Sequence, residues 1–161
     1  MLNDDDRQLT VNVIARHLVA KSEPHELDFA VLRLAEHQSR TPLRLYTDPV
    51  PFTPGVNFPV NIIQHPDGQP KRVAFRNNLV SAVDDSTIRY FTDTDRGSSG
   101  APVCDDVWRV VALHRGAVPV QGVNFQGRTT AVINIGSQKA AILAKIKANN
   151  SALWEEIVAE L

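Results

Sequence analysis

The sequence predicts an all-β domain that ends in short helices. Three observations carry this reading. Apolar residues alternate, or run in short stretches, with the period of a strand, as at Leu9, Val11, Val13 and Ala15. Turn signals built from Pro, Gly, Asn and Asp interrupt them at the spacing of a barrel or sandwich. Helical spacing appears only near the end, where Ile142 and Ile146 stand four apart.

Each element follows from its residues. The acidic run Asp4 to Asp6 reads as a solvated tail without function. Residues 8–20 form a half-buried strand with His17 just beyond the alternation, where an ordinary surface histidine is the plain reading. A polar turn with Pro24 and His25 leads into the apolar run 27–34, with Asp28 at its mouth. From the residues alone, Asp28 caps a turn. Residues 40–59 hold Pro42, Pro49, Pro51, Pro54 and Pro59, which oppose helix and central strand, so this stretch is an extended connector with a short strand at 43–46. Strands are expected at 60–64, 71–76, 79–83 and 87–91, with a turn at His65-Pro66-Asp67-Gly68 and others at Asn77-Asn78 and at 84–86. A strand, tight turn and strand follow over 101–116, then a loop over 116–126 with Pro119 and Gly122, and a last strand over 128–134. Residues 137–147 are helical, and a second helix starts at Asn150 or Ser151, burying Leu153, Trp154, Ile157 and Val158.

Composition bounds the function. At 161 residues, 43% hydrophobic and 22% charged, the chain makes one domain able to bury roughly two-thirds of its unfolded surface. A formal net charge of −1 without a basic block excludes an electrostatic nucleic-acid footprint and a role at a membrane surface. No apolar run has the length of a membrane span. Cys104 is the single cysteine, so no intramolecular disulfide framework exists, and the start MLNDDDRQLT lacks a basic and apolar leader. Both features point to the cytoplasm.

Residues 92–104 carry the chemistry. Gly97, Ser98, Ser99, Gly100 and Ala101 are small residues around one hydroxyl, so the backbone can turn sharply and approach a ligand. A serine that attacks a carbonyl needs backbone N–H groups aimed at the developing oxyanion, and Gly97 and Ser99 are the natural donors. A flexible turn is the plain alternative for such a segment alone.

With its flanks, this segment resembles the trypsin/chymotrypsin-like serine endopeptidases, and most closely their bacterial glutamyl-endopeptidase branch. The nucleophile motif GxSGxP reads Gly97-Ser98-Ser99-Gly100-Ala101-Pro102, and the strand segment Leu/Ile-His-x-Gly reads Leu113-His114-Arg115-Gly116. The resemblance implies a chymotrypsin-like double β-barrel with a C-terminal helix, the second barrel complete and the first partial. Residues 1–47 are then a remnant of the first barrel, 48–59 a connector, 60–136 the second barrel and 137–161 the C-terminal helices. It implies that Ser99 is the nucleophile and that Asp28, in Asp28-Phe-Ala-Val-Leu, is the triad aspartate, which would orient an imidazole and stabilise its charged form. Thr94 and His114 match the pair with which glutamyl endopeptidases recognise an acidic side chain, since a hydroxyl and an imidazole can both donate to a carboxylate. Arg96 and Arg115 would add positive charge there, and Asp93 would oppose it. His65 is a turn residue in this comparison. No metal or cofactor is implied, because Asp93 and Asp95 lack a third acid or histidine nearby in sequence.

The catalytic histidine has no matching segment. Asp28 is preceded by 27 residues, room for about two strands, and neither His17 nor His25 lies in a context like the family's. Three explanations follow, with a sequence truncated upstream favoured over a partner that supplies the histidine strand and over a non-catalytic descendant. The expected partner is a protein or peptide substrate, with an effector module or a histidine-supplying chain as further partners. The competing classes are a protease-like barrel that binds a peptide without cutting it and a fragment with exposed strand edges.

Overall fold

The computed structural model describes residues 14–35, 41–75, 78–125 and 128–159. The acidic run at 4–6, the first part of the strand expected at 8–20, and Arg76 and Asn77 at the end of another lie outside the described residues. Among the described residues nine strands form two antiparallel sheets. The first is a ribbon of β1 (Ala15–Lys21) and β2 (Ala30–Leu34). The second holds β3 (Asn61–Gln64), β4 (Arg72–Ala74), β5 (Val80–Val83), β6 (Thr87–Tyr90), β7 (Pro102–Cys104), β8 (Val110–Phe125) and β9 (Arg128–Gln138), in the order β4-β3-β7-β8-β9-β6-β5. Helices α1 (Lys139–Asn149) and α2 (Ser151–Ala159) end the chain. The fold is thus mostly β with a helical end, the class that the sequence predicts.

The seven-stranded sheet rolls up because its alternating apolar residues must share one interior. Val60, Ile62, Ile88, Tyr90, Val103, Val111 and Ala112 meet there, all buried. The roll brings the edge strand β5 back toward the lead-in to β3, where Pro59 bridges Leu79 and the Val80 N–H donates to the Phe58 carbonyl at 3.0 Å. A single bridge, not a ladder, joins these ends, so the seven-stranded sheet is not a closed ring of strands among the described residues.

The ribbon lies on the helices through a second core of Leu27, Phe29, Ile142, Ile146 and Leu153. Asn150 separates the two helices in a way its side chain explains. Its backbone N–H closes α1 on the Ile146 carbonyl, and its Oδ1 accepts the Leu153 N–H at 3.0 Å to cap α2. Helix α1 starts two residues later than expected, since Ser137 and Gln138 still pair with Leu113 and Ala112 as the end of β9.

Three expectations are corrected. The strand at 43–46 is one parallel bridge from Leu45 to Val110, as befits a segment enclosed by prolines. The loop over 116–126 is instead strand up to Phe125, paired along β9 with an irregularity between Pro119 and Val123. Pro119 is tolerated because β7 pairs with β8 only as far as Leu113, so its missing N–H costs no ladder bond on the outer edge. Val158 is 41% exposed, and Trp154 and Ile157 are only half-buried.

Candidate active site

The nucleophile loop is held by glycine backbone and by one buried serine. Gly97 and Gly100 take φ values of +84° and +83°, a region that a side chain disfavours. At Gly97 a Cβ would also meet the His65 carbonyl oxygen at 3.3 Å, because the 65–68 turn packs against this loop through the Asp67 N–H on the Arg96 carbonyl at 2.7 Å. The two adjacent serines separate sharply. Ser98 is buried and donates to Gln64 Oε1 at 2.7 Å, while Gln64 Nε2 donates to the Asp93 carbonyl at 3.1 Å. Gln64 therefore ties both ends of the 93–98 segment to β3. Ser99 is exposed. Neither the Gly97 nor the Ser99 N–H donates to any described residue, whereas Ser98, Gly100 and Ala101 spend theirs on the Asp95, His114 and Ser98 carbonyls. Two free donors beside an exposed hydroxyl are what an oxyanion needs.

Asp28 stands in the turn that leads into β2. It sits at φ +48° between buried Leu27 and Phe29, a left-handed conformation that Asp tolerates better than most residues. Its turn is anchored on the large sheet at two points. Ser137 Oγ, on the residue paired with Leu113, donates to the Leu27 carbonyl at 2.5 Å, and the Arg115 guanidinium donates to the Glu26 carbonyl at 2.7 Å. The nucleophile loop is anchored on the adjacent residue, through the Gly100 N–H on the His114 carbonyl at 2.7 Å. The Ser99 loop is thus anchored on His114 of β8, and the Asp28 turn on Arg115 of β8 and Ser137 of β9. The Asp28 carboxylate itself is exposed and has no hydrogen bond to a described residue.

His114 is 4% exposed, and its Nδ1 lies 2.6 Å from the hydroxyl of Tyr90, which is fully buried. Burial pushes the imidazole down to about 4 and holds the phenol well above its ordinary value, so both groups are neutral near pH 7. The Tyr90 proton has no other acceptor among the described residues, and a buried O–H left unmade is costly, so Tyr90 donates to Nδ1 and the ring proton stays on Nε2. Nε2 makes no bond to a described residue, and no buried side-chain nitrogen or oxygen among them lacks a partner. Nε2–H is therefore the ring's accessible donor.

The other expected pocket residues divide. Thr94 commits its proton to Asn134 Oδ1 at 2.7 Å, and Asn134 Nδ2 is fixed on the Thr92 carbonyl at 2.5 Å, so Thr94 offers lone pairs and not a donor. Arg96 is exposed, with no partner for its guanidinium among the described residues. Arg115 is directed at the Asp28 turn, where its charge serves positioning. No described histidine bonds to Asp28 or Ser99. His17 is exposed in β1 opposite Arg33, His25 is exposed in a turn, and His65 Nδ1 lies 3.1 Å from the Gln69 carbonyl. No group of three or more His, Cys, Asp or Glu among the described residues is placed to hold a metal.

The model of the trypsin-like peptidase domain matches residues 2–113, which include Asp28 and the whole nucleophile loop. The chain belongs to this family. It is also 37% identical over 99 residues to the uncharacterized protein y4fB of Sinorhizobium fredii (strain NBRC 101917 / NGR234), a match covering 57% of this chain and 13% of that protein. The chain therefore spans a small part of the relative's length. Within this trypsin-like domain, sequence reasoning missed Gln64, Tyr90, Asn134 and Ser137. Their signal was available as polar residues interrupting apolar strands, in Asn-Ile-Ile-Gln and Ile-Asn-Ile-Gly-Ser, but nothing in the sequence says which loop such a residue holds.

Proposed function

We propose that this chain is the nucleophile-bearing part of a serine endopeptidase. Ser99 Oγ attacks the scissile carbonyl, the Gly97 and Ser99 N–H groups receive the oxyanion, and Asp28 orients a histidine supplied by polypeptide outside the described residues. The observation that carries this is the Ser99 loop, an exposed hydroxyl beside two N–H donors without a described partner, on a backbone whose positive φ at Gly97 and Gly100 favours glycine. Cleavage of the bond after an acidic side chain is one specificity this reading allows, with His114 Nε2–H as donor and Arg96 as long-range charge. The substrate is a protein or peptide, cut in a limited way.

Purified chain treated with a fluorophosphonate probe tests the reading, with Ser99→Ala as control and added imidazole as a substitute for the ring. Label on Ser99, absent from Ser99→Ala and increased by imidazole, is the expected result. Removing the histidine of such a triad lowers turnover by about a millionfold, so imidazole should have a large effect. Folded protein that takes no label under either condition sinks the catalytic reading. A second reading is then preferred, a barrel that holds an extended peptide by main-chain pairing without cutting it. The absence of any described histidine bonded to Asp28 or Ser99 favours it.

A further inference from the structure

Between β2, β8 and the helices lies a cavity of about 280 Å³. Phe29 and Val31 line it from the ribbon side, Val110 and Leu113 from β8, and Ile142 and Ile146 from α1. Lys139, the first residue of α1, is the one charged residue in this hydrocarbon wall. Its ammonium has no ion pair and no hydrogen bond among the described residues, in contrast to Lys145 further along α1, which pairs with Glu26. Lys139 is half-buried, its ammonium still reaches solvent, and partial burial lowers that ammonium to about 8. An anion at the cavity would give this cation the counter-charge that no described residue supplies, while the apolar walls would accept a hydrocarbon chain. A volume of about 280 Å³ is many times the room one water needs, enough for an aliphatic chain.

We propose that this cavity binds a medium-chain aliphatic carboxylate, with the carboxylate on Lys139 Nζ and the chain between the ribbon and α1. This site is separate from the Ser99 loop, and the proposal does not rest on the endopeptidase reading. Occupancy would brace the strand that follows Asp28 against the helix, since Phe29 and Val31 form its wall.

Calorimetric titration of the chain with octanoate and octanol tests it. Octanoate should bind saturably, one per chain, with affinity rising about fourfold per methylene from hexanoate. Octanol should bind at least tenfold more weakly. Lys139→Met should lose at least tenfold for octanoate and keep its octanol affinity, whereas Lys139→Arg should stay close to the parent. Val31→Trp, which fills the cavity from the ribbon, should lose both ligands. No saturable octanoate binding by folded protein overturns the proposal. So does equal binding of octanoate and octanol, or of octanoate to the parent and Lys139→Met.

Discussion

At the scale of single residues, His114 and Tyr90 set the character of the pocket. They are two neutral rings sharing one hydrogen bond, with the imidazole at about 4 through burial, against 6.5 for the free group. The unfolded chain therefore binds a proton between these values that the native ring refuses. The sign follows. The His114 contribution to stability is fully present above pH 6.5, and is lost as pH falls toward 4, at no more than about 1.4 kcal/mol per pH unit. Asp84 does not interfere in this window. Partial burial raises its carboxyl, but hydrogen bonds from Thr87 and Ser86 overcome that and hold it at about 2, so its own loss begins below 3.8. Urea unfolding from pH 7.5 to 5 should show stability falling for the parent chain and a flatter curve for His114→Gln. Parallel curves would mean that another group titrates and that His114 is not held neutral by its surroundings.

At the scale of elements, the Ser99 loop is positioned from β3. Ser98→Ala removes the buried hydrogen bond to Gln64 and leaves its Oε1 unsatisfied, at a cost of about 1–3 kcal/mol in unfolding free energy. Ser99→Ala removes an exposed hydroxyl with no described partner and should be close to neutral. Fluorophosphonate labelling should show the reverse order, retained in Ser98→Ala and lost in Ser99→Ala. Equal stabilities for the two variants would mean that Gln64 does not anchor the loop. The sequence made Ser99 and Gly97 legible because an exposed nucleophile requires small residues in a row, and these are local requirements. Gln64 and Asn134 were illegible because their partners lie 29 to 42 residues away in the chain, at Asp93, Ser98, Thr94 and Thr92. The length of β8 was misread for a related reason. Pro119 and Gly122 signal a loop locally, but Pro119 lies where β8 has no described partner beyond β9, and Gly122 falls within the irregularity between Pro119 and Val123.

At the scale of the whole molecule, the two sheets differ in how well they are covered. The large sheet encloses its apolar side, but the ribbon buries one face on α1 and leaves the other open. Leu18 and Leu32, partners across β1 and β2, are 51% and 52% exposed, with Ile14 at 70% and Leu34 at 39% nearby. Each ribbon strand also has only one neighbour among the described residues. Exposed aliphatic side chains next to unpaired strand edges favour association between chains. Sedimentation velocity across a concentration series should therefore show the chain self-associating as concentration rises. The double variant Leu18→Lys with Leu32→Glu should stay monomeric over the same range, because it places opposite charges on the paired positions and retains the ribbon. Circular dichroism unchanged from the parent would show that the ribbon survives. Association undiminished in the folded double variant would place the sticky surface elsewhere, with the exposed Val107 and Trp108 at the β7–β8 turn the next surface to alter.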